Sequence, residues 1–285
     1  MNVTAIVHVY YPELWPELAV CIRNLGPDTR LIVTYGIGND KAVEAARRDF
    51  PRADFVACEN RGYDIWPFLK ALKLVDFATC DLIVKLHTKR DIDLPRKTEV
   101  GYTVLNGSRW RDRLLAFVRT PEAWARTLRR FAEDPDVGLV AARELIFTRR
   151  DAERPEMAAS YDRAGDFVRE KLHLELPHKG GFVGGTMFAV RSSLYRPLAD
   201  YPFAADMFEV SQGHDTETFA HVVERLFGLV VAAQGKRVVG FNGSRVAYRL
   251  RGAIAKFFFD SRLTKRRRSI RICGILVYRK KLGGD

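Results

Sequence analysis

The chain has 285 residues, of which 47% are hydrophobic and 29% are charged. This composition excludes disordered, collagen-like and mucin-like proteins, because each of those classes needs few apolar residues or a biased repeat. The length allows one large domain or two small ones with a substantial core. No apolar run approaches the roughly 18 residues that a membrane-spanning helix requires.

The N-terminal residues and the cysteines favour a cytoplasmic protein. The first residues lack the basic start, apolar run and cleavage site of a secretory signal peptide. The four cysteines are widely separated and show no C-x-x-C spacing, which favours reduced thiols.

The positive charge is concentrated near the C-terminus. Residues 245–285 contain thirteen Lys or Arg and two acids, a net charge of +11 out of +12 for the chain. We therefore divide the chain into a domain of residues 1–244 and a basic C-terminal extension of residues 245–285. The extension favours contact with an anionic membrane surface, ahead of a purely solubilising role. Nucleic acid is not an expected partner, because the domain offers no basic stripe and no nucleic-acid motif.

Strands and helices alternate along the first 90 residues. The pattern predicts strands over residues 4–10, 30–35, 53–58 and 81–86, with helices over 13–25, 40–50 and 65–75 between them. Farther along, it predicts helices over 108–117, 121–131 and 216–227, strands over 137–142 and 237–241, and a glycine-rich turn entering a strand over 180–191. Largely apolar strands in this order predict an α/β fold with a mostly parallel sheet covered by helices on both faces.

Ligands of such sheets bind beyond the carboxyl ends of the strands. The first predicted strand ends near His8, Tyr10 and Tyr11, and the third predicted strand is followed by Asn60, Arg61, Gly62 and Asp64. Gly62 permits a tight turn, and Arg61 offers a guanidinium suited to a diphosphate. Asp64 either accepts a hydrogen bond from a sugar hydroxyl or caps the following helix and pairs with Arg61.

The fourth strand end carries three cationic or titratable side chains. Strand alternation puts Lys85, His87 and Lys89 on one face. Such a row suits a pyrophosphate, whereas the alternative is a solvated run of charge. The functional interpretation is favoured because Lys85 follows an apolar run, where an idle cation would lose hydration.

Two later segments are candidates for the acceptor side and the base. Gly184, Gly185 and Thr186 let backbone approach a ligand or simply form a turn. Asp215 and Glu217 stand at the start of a predicted helix that also carries His221. Either carboxylate would suit a general base that deprotonates an acceptor hydroxyl, and the alternative for Asp215 is a helix cap. Asp91 and Asp93 form a D-x-D pattern, which is a weak candidate for holding Mg²⁺ or Mn²⁺.

These motifs together resemble the rhamnan synthesis protein F family of bacterial polysaccharide assembly. The resemblance rests on HVYYPELW at 8–15, NRGYDIWPFLKALK at 60–73, KLHTKR at 85–90, GGTMFAVR at 184–191 and AHVVERLFGLV at 220–230. The family is similar to glycosyltransferases of the A-type, nucleotide-diphospho-sugar transferase fold, and is linked to rhamnose-containing polysaccharide and lipopolysaccharide O-antigen.

The resemblance implies a glycosyltransferase that moves a sugar, such as rhamnose, from a nucleotide-sugar donor to a lipid-linked glycan. It implies a place at the inner face of the cytoplasmic membrane, beside other polysaccharide-assembly proteins. Cations at residues 85–89 replace the metal-binding D-x-D of many related transferases, which leaves open whether a divalent cation is needed. The alternative function is a non-catalytic glycan- or nucleotide-binding module of a synthase complex.

Overall fold

The computed structural model describes residues 1–90, 107–151, 155–177, 180–210, 218–242, 259–264, 267–273 and 275–281. The strands are β1 (Val3–Val9), β2 (Arg30–Gly36), β3 (Asp54–Cys58), β4 (Leu82–His87), β5 (Val137–Ala141), β6 (Ile146–Thr148), β7 (Gly181–Val183), β8 (Phe188–Arg191), β9 (Arg237–Gly240), β10 (Phe259–Thr264), β11 (Arg267–Ile272) and β12 (Ile275–Lys281). The helices are α1 (Trp15–Arg23), α2 (Glu44–Asp49), α3 (Ile65–Leu72), α4 (Gly107–Leu114), α5 (Pro121–Glu133), α6 (Pro155–Glu170), α7 (Arg196–Asp200) and α8 (Phe219–Ala233).

A seven-stranded sheet forms the centre of the molecule, in the order β3-β2-β1-β4-β8-β5-β9. The pairs β2–β3, β1–β2, β1–β4 and β5–β9 are parallel, and only β8 runs antiparallel to its two neighbours. Every residue of β1, β4 and β5 is buried. Burial on both sides of these strands requires cover on both faces of the sheet. The predicted α/β class with a mostly parallel central sheet is confirmed.

The glycine-rich segment differs from its prediction. It contains two strands. β7 pairs with β6 outside the central sheet, whereas β8 inserts between β4 and β5. The turn between them holds Gly184, Gly185 and Thr186 beside β4. Insertion of β8 therefore brings a distant part of the chain to the carboxyl end of β4.

Helix α8 packs tightly against β7. A Cβ built on Gly228 would lie 2.0 Å from the carbonyl oxygen of Gly181, so only glycine permits this approach. The helix begins at Phe219, three residues after its predicted start, and continues to Ala233. Its first turns consequently lie next to the Gly184–Thr186 turn.

The basic extension contains regular structure that was not predicted from the sequence. Strands β10, β11 and β12 form a separate antiparallel sheet in that order. Among the described residues, no helix combines the length and hydropathy needed to span a bilayer.

Candidate functional site

The carboxyl ends of β1 and β4 are joined by one threonine. The Oγ1 of Thr88 accepts hydrogen bonds from the backbone N–H groups of Tyr10 and Tyr11, each at 2.9 Å. His8 and His87 are register partners on the two strands. The parallel pairing thus brings the first and fourth strand-end motifs side by side.

A buried polar cluster lies beneath this edge. The ammonium of Lys85 forms an ion pair with Oδ2 of Asp64 and donates a hydrogen bond to Oγ1 of Thr186 at 2.9 Å. Thr186 in turn donates to the same Asp64 oxygen at 2.5 Å. The Lys85 ammonium also stands 5.3 Å from the ring centroid of Phe68, a favourable cation–π position. Asp64, Lys85 and Thr186 therefore satisfy one another, although they come from three separate segments.

Asp64 occupies the N-cap position of α3, yet its side chain makes no capping hydrogen bond. Its carboxylate also does not pair with Arg61, whose Nη1 donates to the carbonyl oxygen of Phe208 at 2.9 Å. Burial opposes ionisation of Asp64, but the nearby His87 and Lys85 side chains and two hydrogen bonds outweigh it. The pKa of Asp64 is therefore held well below its usual range.

The backbone on each side of the cluster adopts the left-handed conformation. Tyr63, directly before Asp64, has φ 55°, and Thr186 has φ 52°. A β-branched residue at such a φ is an outlier that surrounding structure must enforce. Gly62 fits the turn because a Cβ would lie 2.6 Å from Phe208. Strain of this kind concentrates at functional sites, and here it aims the hydroxyl of Thr186 at Asp64.

His87 is buried without a hydrogen-bond partner for either ring nitrogen among the described residues. Its side chain is 4% exposed, and Nδ1 stands 3.5 Å from Oδ2 of Asp64. Burial lowers the pKa of His87 to about 3, against the opposing effect of Asp64. A neutral imidazole with two unused ring nitrogens offers one donor and one acceptor to a ligand. Leaving such groups unpaired is costly, which makes His87 the strongest indication of a binding function.

His8 is buried next to it and is also neutral at physiological pH. Its Nδ1 shares a hydrogen bond of 3.0 Å with Oγ1 of Thr34. Burial lowers the pKa of His8 to about 4, although Asp64 acts in the opposite direction. Two neutral imidazoles therefore stand together at the sheet edge.

These two histidines predict a loss of stability in mild acid. Their folded pKa values lie below the ordinary 6.5, so below pH 6.5 the unfolded chain binds more protons than the folded chain. We expect the free energy of unfolding to fall by about 2–3 kcal/mol between pH 7 and pH 5.5 because of this pair. Urea titrations across that range should give a shallower pH dependence in His8→Gln and His87→Asn, and the shallowest in the double variant. Equal slopes in the wild type and the double variant would contradict the assignment.

Helix α8 contributes a carboxylate that anchors the glycine turn. Oε1 of Glu224 accepts from the backbone N–H of Gly185 at 2.7 Å, and Oε2 pairs with Arg225 at 2.5 Å. His221 shares a 2.8 Å hydrogen bond with Thr218, and burial lowers its pKa. Its ring centroid is 6.1 Å from that of Tyr63. The start of α8 therefore borders the Asp64 loop.

The remaining candidates have more varied positions. Lys89 is half-buried, and no described acidic side chain lies within ion-pairing distance of it. Tyr10 and Asn60 are exposed at the rim. Gly184 packs its backbone close to the Phe147 ring. The four acidic candidates lie outside the described residues: Asp91, Asp93, Asp215 and Glu217.

The described residues do not fit a divalent cation. Among them, no three His, Cys, Asp or Glu side chains are grouped as metal ligands. The carboxylate of Asp64 already has the Lys85 ammonium on Oδ2, the same oxygen that lies 3.5 Å from Nδ1 of His87. We therefore derive no metal-dependent step.

Three contributors to the site were missed or misjudged from sequence. Thr34 and Thr88 hold His8 and the β1 end, and their only signal is a hydroxyl within or just after an apolar strand. Glu224 was not among the candidates from sequence. One of its carboxylate oxygens pairs with Arg225, and the other fixes the Gly185 turn.

Comparisons with solved structures give only distant likenesses. The chain superposes on residues 1–349 of TarS from S. aureus with a TM-score of 0.42 and 11% identity, covering 84% of this chain and 58% of that one. It superposes on glucosyl-3-phosphoglycerate synthase from Mycobacterium tuberculosis, a complex with Mn²⁺, uridine diphosphate and glucosyl-3-phosphoglycerate, with a TM-score of 0.40 and 10% identity. That match covers 98% of this chain and 89% of the synthase.

Sequence comparisons are more informative. The uncharacterised protein WxcX of Xanthomonas campestris pv. campestris strain B100 is 29% identical over 237 residues, which is 82% of this chain. The chain spans 32% of the length of WxcX. The family model for rhamnan synthesis protein F matches residues 1–236. The match covers six of the seven strands of the central sheet and every side chain of the buried cluster, and the chain belongs to the rhamnan synthesis protein F family.

Proposed function

We propose that this protein is a glycosyltransferase that moves a sugar from a nucleotide-sugar donor to a growing bacterial surface polysaccharide. The proposal includes rhamnose as the sugar, a lipid-linked glycan as the acceptor, and a place on the inner face of the cytoplasmic membrane. Membership of a family named for rhamnan synthesis supports the polysaccharide. The buried cluster at the carboxyl edge of the sheet supports a small-molecule site there.

The buried imidazole of His87, which makes no hydrogen bond within the described residues, is the observation that carries the proposal. It lies at the end of β4, two residues after Lys85 and two residues before the half-buried Lys89. A diphosphate bound at this strand end would bring negative charge close to that imidazole. The arriving negative charge would also raise the pKa of His87, so that binding draws in a proton.

The proposed division of labour follows from the charges of these side chains. Lys85 is neutralised by Asp64, so its ammonium contributes position more than net charge. Lys89 and Arg61 are the cations proposed to face the leaving diphosphate, where fixed charges stabilise the transition state. Asp215 or Glu217 is the proposed base for the acceptor hydroxyl. A single displacement would invert the anomeric centre.

The test is nucleotide-sugar turnover by the purified chain. UDP-, dTDP- and GDP-sugars are supplied with and without a lipid-linked glycan, and release of nucleoside diphosphate is measured. We expect release of nucleoside diphosphate from donors of one of these three nucleotides, and we expect the lipid-linked glycan to accelerate it. Lys89→Met should weaken binding of the nucleoside diphosphate about tenfold, equivalent to about 1.4 kcal/mol. Lys171→Met, at an exposed position beyond α6, is the matched control and should have no effect.

Calorimetry in buffers of different ionisation enthalpy provides a second readout. Proton uptake on nucleotide binding that disappears in His87→Asn would support the proposed role of His87. Tight nucleotide or glycan binding without turnover for any donor would favour the non-catalytic module. Absence of both binding and turnover would contradict the proposal.

A further inference from the structure

Strands β11 and β12 form a hairpin with two chemically different ends. At the turn, Ile272 pairs with Ile275, and the next residues along β12 are Leu276, Val277 and Tyr278. We call residues 272–278 the hairpin tip. At the open end, Arg267 pairs with Lys281 and Arg268 pairs with Lys280. Arg271 pairs with Leu276 at the border of the tip. The antiparallel register places the Arg267–Lys281 pair about 16 Å from the Ile272–Ile275 pair, for five residues of strand.

The apolar side chains of the tip are exposed together. Their exposed fractions run from 41% for Tyr278 to 69% for Ile275. The other exposed large apolar side chains among the described residues are isolated along the chain, as Ile37 is at 63%. Single exposed apolar residues are common, but five within seven residues form a patch, and such patches mark interaction surfaces.

Charge identifies the kind of surface that this patch fits. The 245–285 extension carries a net charge of +11, so two copies of the extension would repel each other. Nucleic acid would match the charge, but aliphatic side chains offer its bases no stacking platform. An anionic bilayer matches both ends of the hairpin, because it presents negative headgroups above an apolar interior.

We propose that the hairpin tip inserts into the surface of an anionic bilayer while the basic rows at the open end contact lipid phosphates. Interfacial elements bury their apolar side to about 5–10 Å, which is less than the length of the hairpin. The tip therefore reaches the acyl boundary with Arg267 and Lys281 still at headgroup level. This deepens the proposed function, since a lipid-linked acceptor would be met at that surface.

The native cysteines allow a direct test on the full chain. Cys273 is exposed at the turn, whereas Cys21, Cys58 and Cys80 are buried. An environment-sensitive fluorophore attached to Cys273 reports on the polarity around the tip. Two kinds of vesicle are added without any sugar donor. One is phosphatidylcholine alone, and the other contains about 30% phosphatidylglycerol, which makes its surface negative. We expect emission to rise and shift to shorter wavelength only with the anionic vesicles, and nitroxide-labelled lipid to quench it.

Matched variants separate insertion from simple charge attraction. Ile275→Asp should lower the vesicle partition coefficient at least about tenfold, because it removes apolar burial and adds a charge of the wrong sign. Ile37→Asp replaces an isoleucine of similar exposure in the domain and should leave partitioning unchanged. Arg267→Gln and Lys281→Gln should each lower it about fivefold.

Three outcomes would overturn the proposal. One is binding to anionic vesicles without a change in the emission of the fluorophore, or undiminished binding of the Ile275→Asp variant. Another is no binding to anionic vesicles. The third is an emission that is already shifted without vesicles, together with a dimer in sedimentation. That result would mean that the tip contacts a second copy of the chain. Because the vesicles hold no donor or acceptor, each outcome is independent of whether the chain turns over nucleotide sugar.

Discussion

Replacing Lys85 with methionine is expected to lower the free energy of unfolding by about 3–5 kcal/mol. Methionine fills much of the same volume against Phe68, so little packing is lost. The loss comes from Asp64, whose carboxylate stays within the protein without its cation. The Lys85 side chain is 1% exposed and that of Asp64 is 17% exposed. Partial hydration of Asp64 favours the lower end of the range. Chemical denaturation of the wild type and the variant at pH 7 measures the difference in the free energy of unfolding.

A double-mutant cycle provides the control. Asp64→Asn in the Lys85→Met background removes the stranded charge and should recover part of the stability, because a neutral pair needs no ionic compensation. The exposed ion pair between Arg30 and Asp54 is the matched surface case, and Arg30→Met should cost less than about 1 kcal/mol. A loss of similar size in Arg30→Met and Lys85→Met would contradict the assignment of a buried, dependent pair.

Lys85 also shows how far the sequence predicts this site. An ammonium directly after the apolar run 82–84 loses hydration, which led us to predict that it faces a pyrophosphate. In the structure, its partners are Asp64 and Thr186. The partners were not predictable, because Thr186 lies 122 residues from Asp64 along the chain. Their meeting depends on the antiparallel pairing of Lys85 with Phe188, which no local pattern specifies.

The charge of the site is the main point on which sequence and structure differ. Alternation along β4 predicted a row of cations formed by Lys85, His87 and Lys89. In the structure, Asp64 compensates Lys85, and burial keeps His87 neutral. Burial depth decides the protonation state, and β4 is buried because it lies inside the sheet between β1 and β8. The positions and approximate bounds of the strands along the chain, by contrast, follow from local apolar patterns and were predicted well over the first 90 residues.

The carboxylates of Glu224 and Asp64 are both engaged in contacts within the protein. Glu224 has both carboxylate oxygens engaged, by Gly185 and by Arg225. Asp64 is committed to Lys85 and Thr186. The described carboxylates nearest the glycine turn are therefore occupied by structural partners. This favours Asp215 or Glu217, which precede α8 in the chain, as the proposed base.

Removing that base should have the largest effect on catalysis. We expect either Asp215→Asn or Glu217→Gln to lower kcat by about 10²–10⁴-fold, the contribution usual for a general base. The donor KM should change little, since the base acts on the acceptor hydroxyl. The measurement is initial rate against donor concentration across pH. The variant that removes the base should also lose the acidic limb of the pH profile, which a structural role would not affect.

Glu224→Gln is the matched control because it makes the same carboxylate-to-amide change in the same part of the sequence. Its amide still accepts from the Gly185 N–H, but the ion pair with Arg225 is lost. We therefore expect reduced stability and a raised KM, with the acidic limb of the pH profile retained. Full activity in both Asp215→Asn and Glu217→Gln would exclude both residues as the base. The unpaired His87, whose imidazole is already neutral, would then be the next side chain to test for that role.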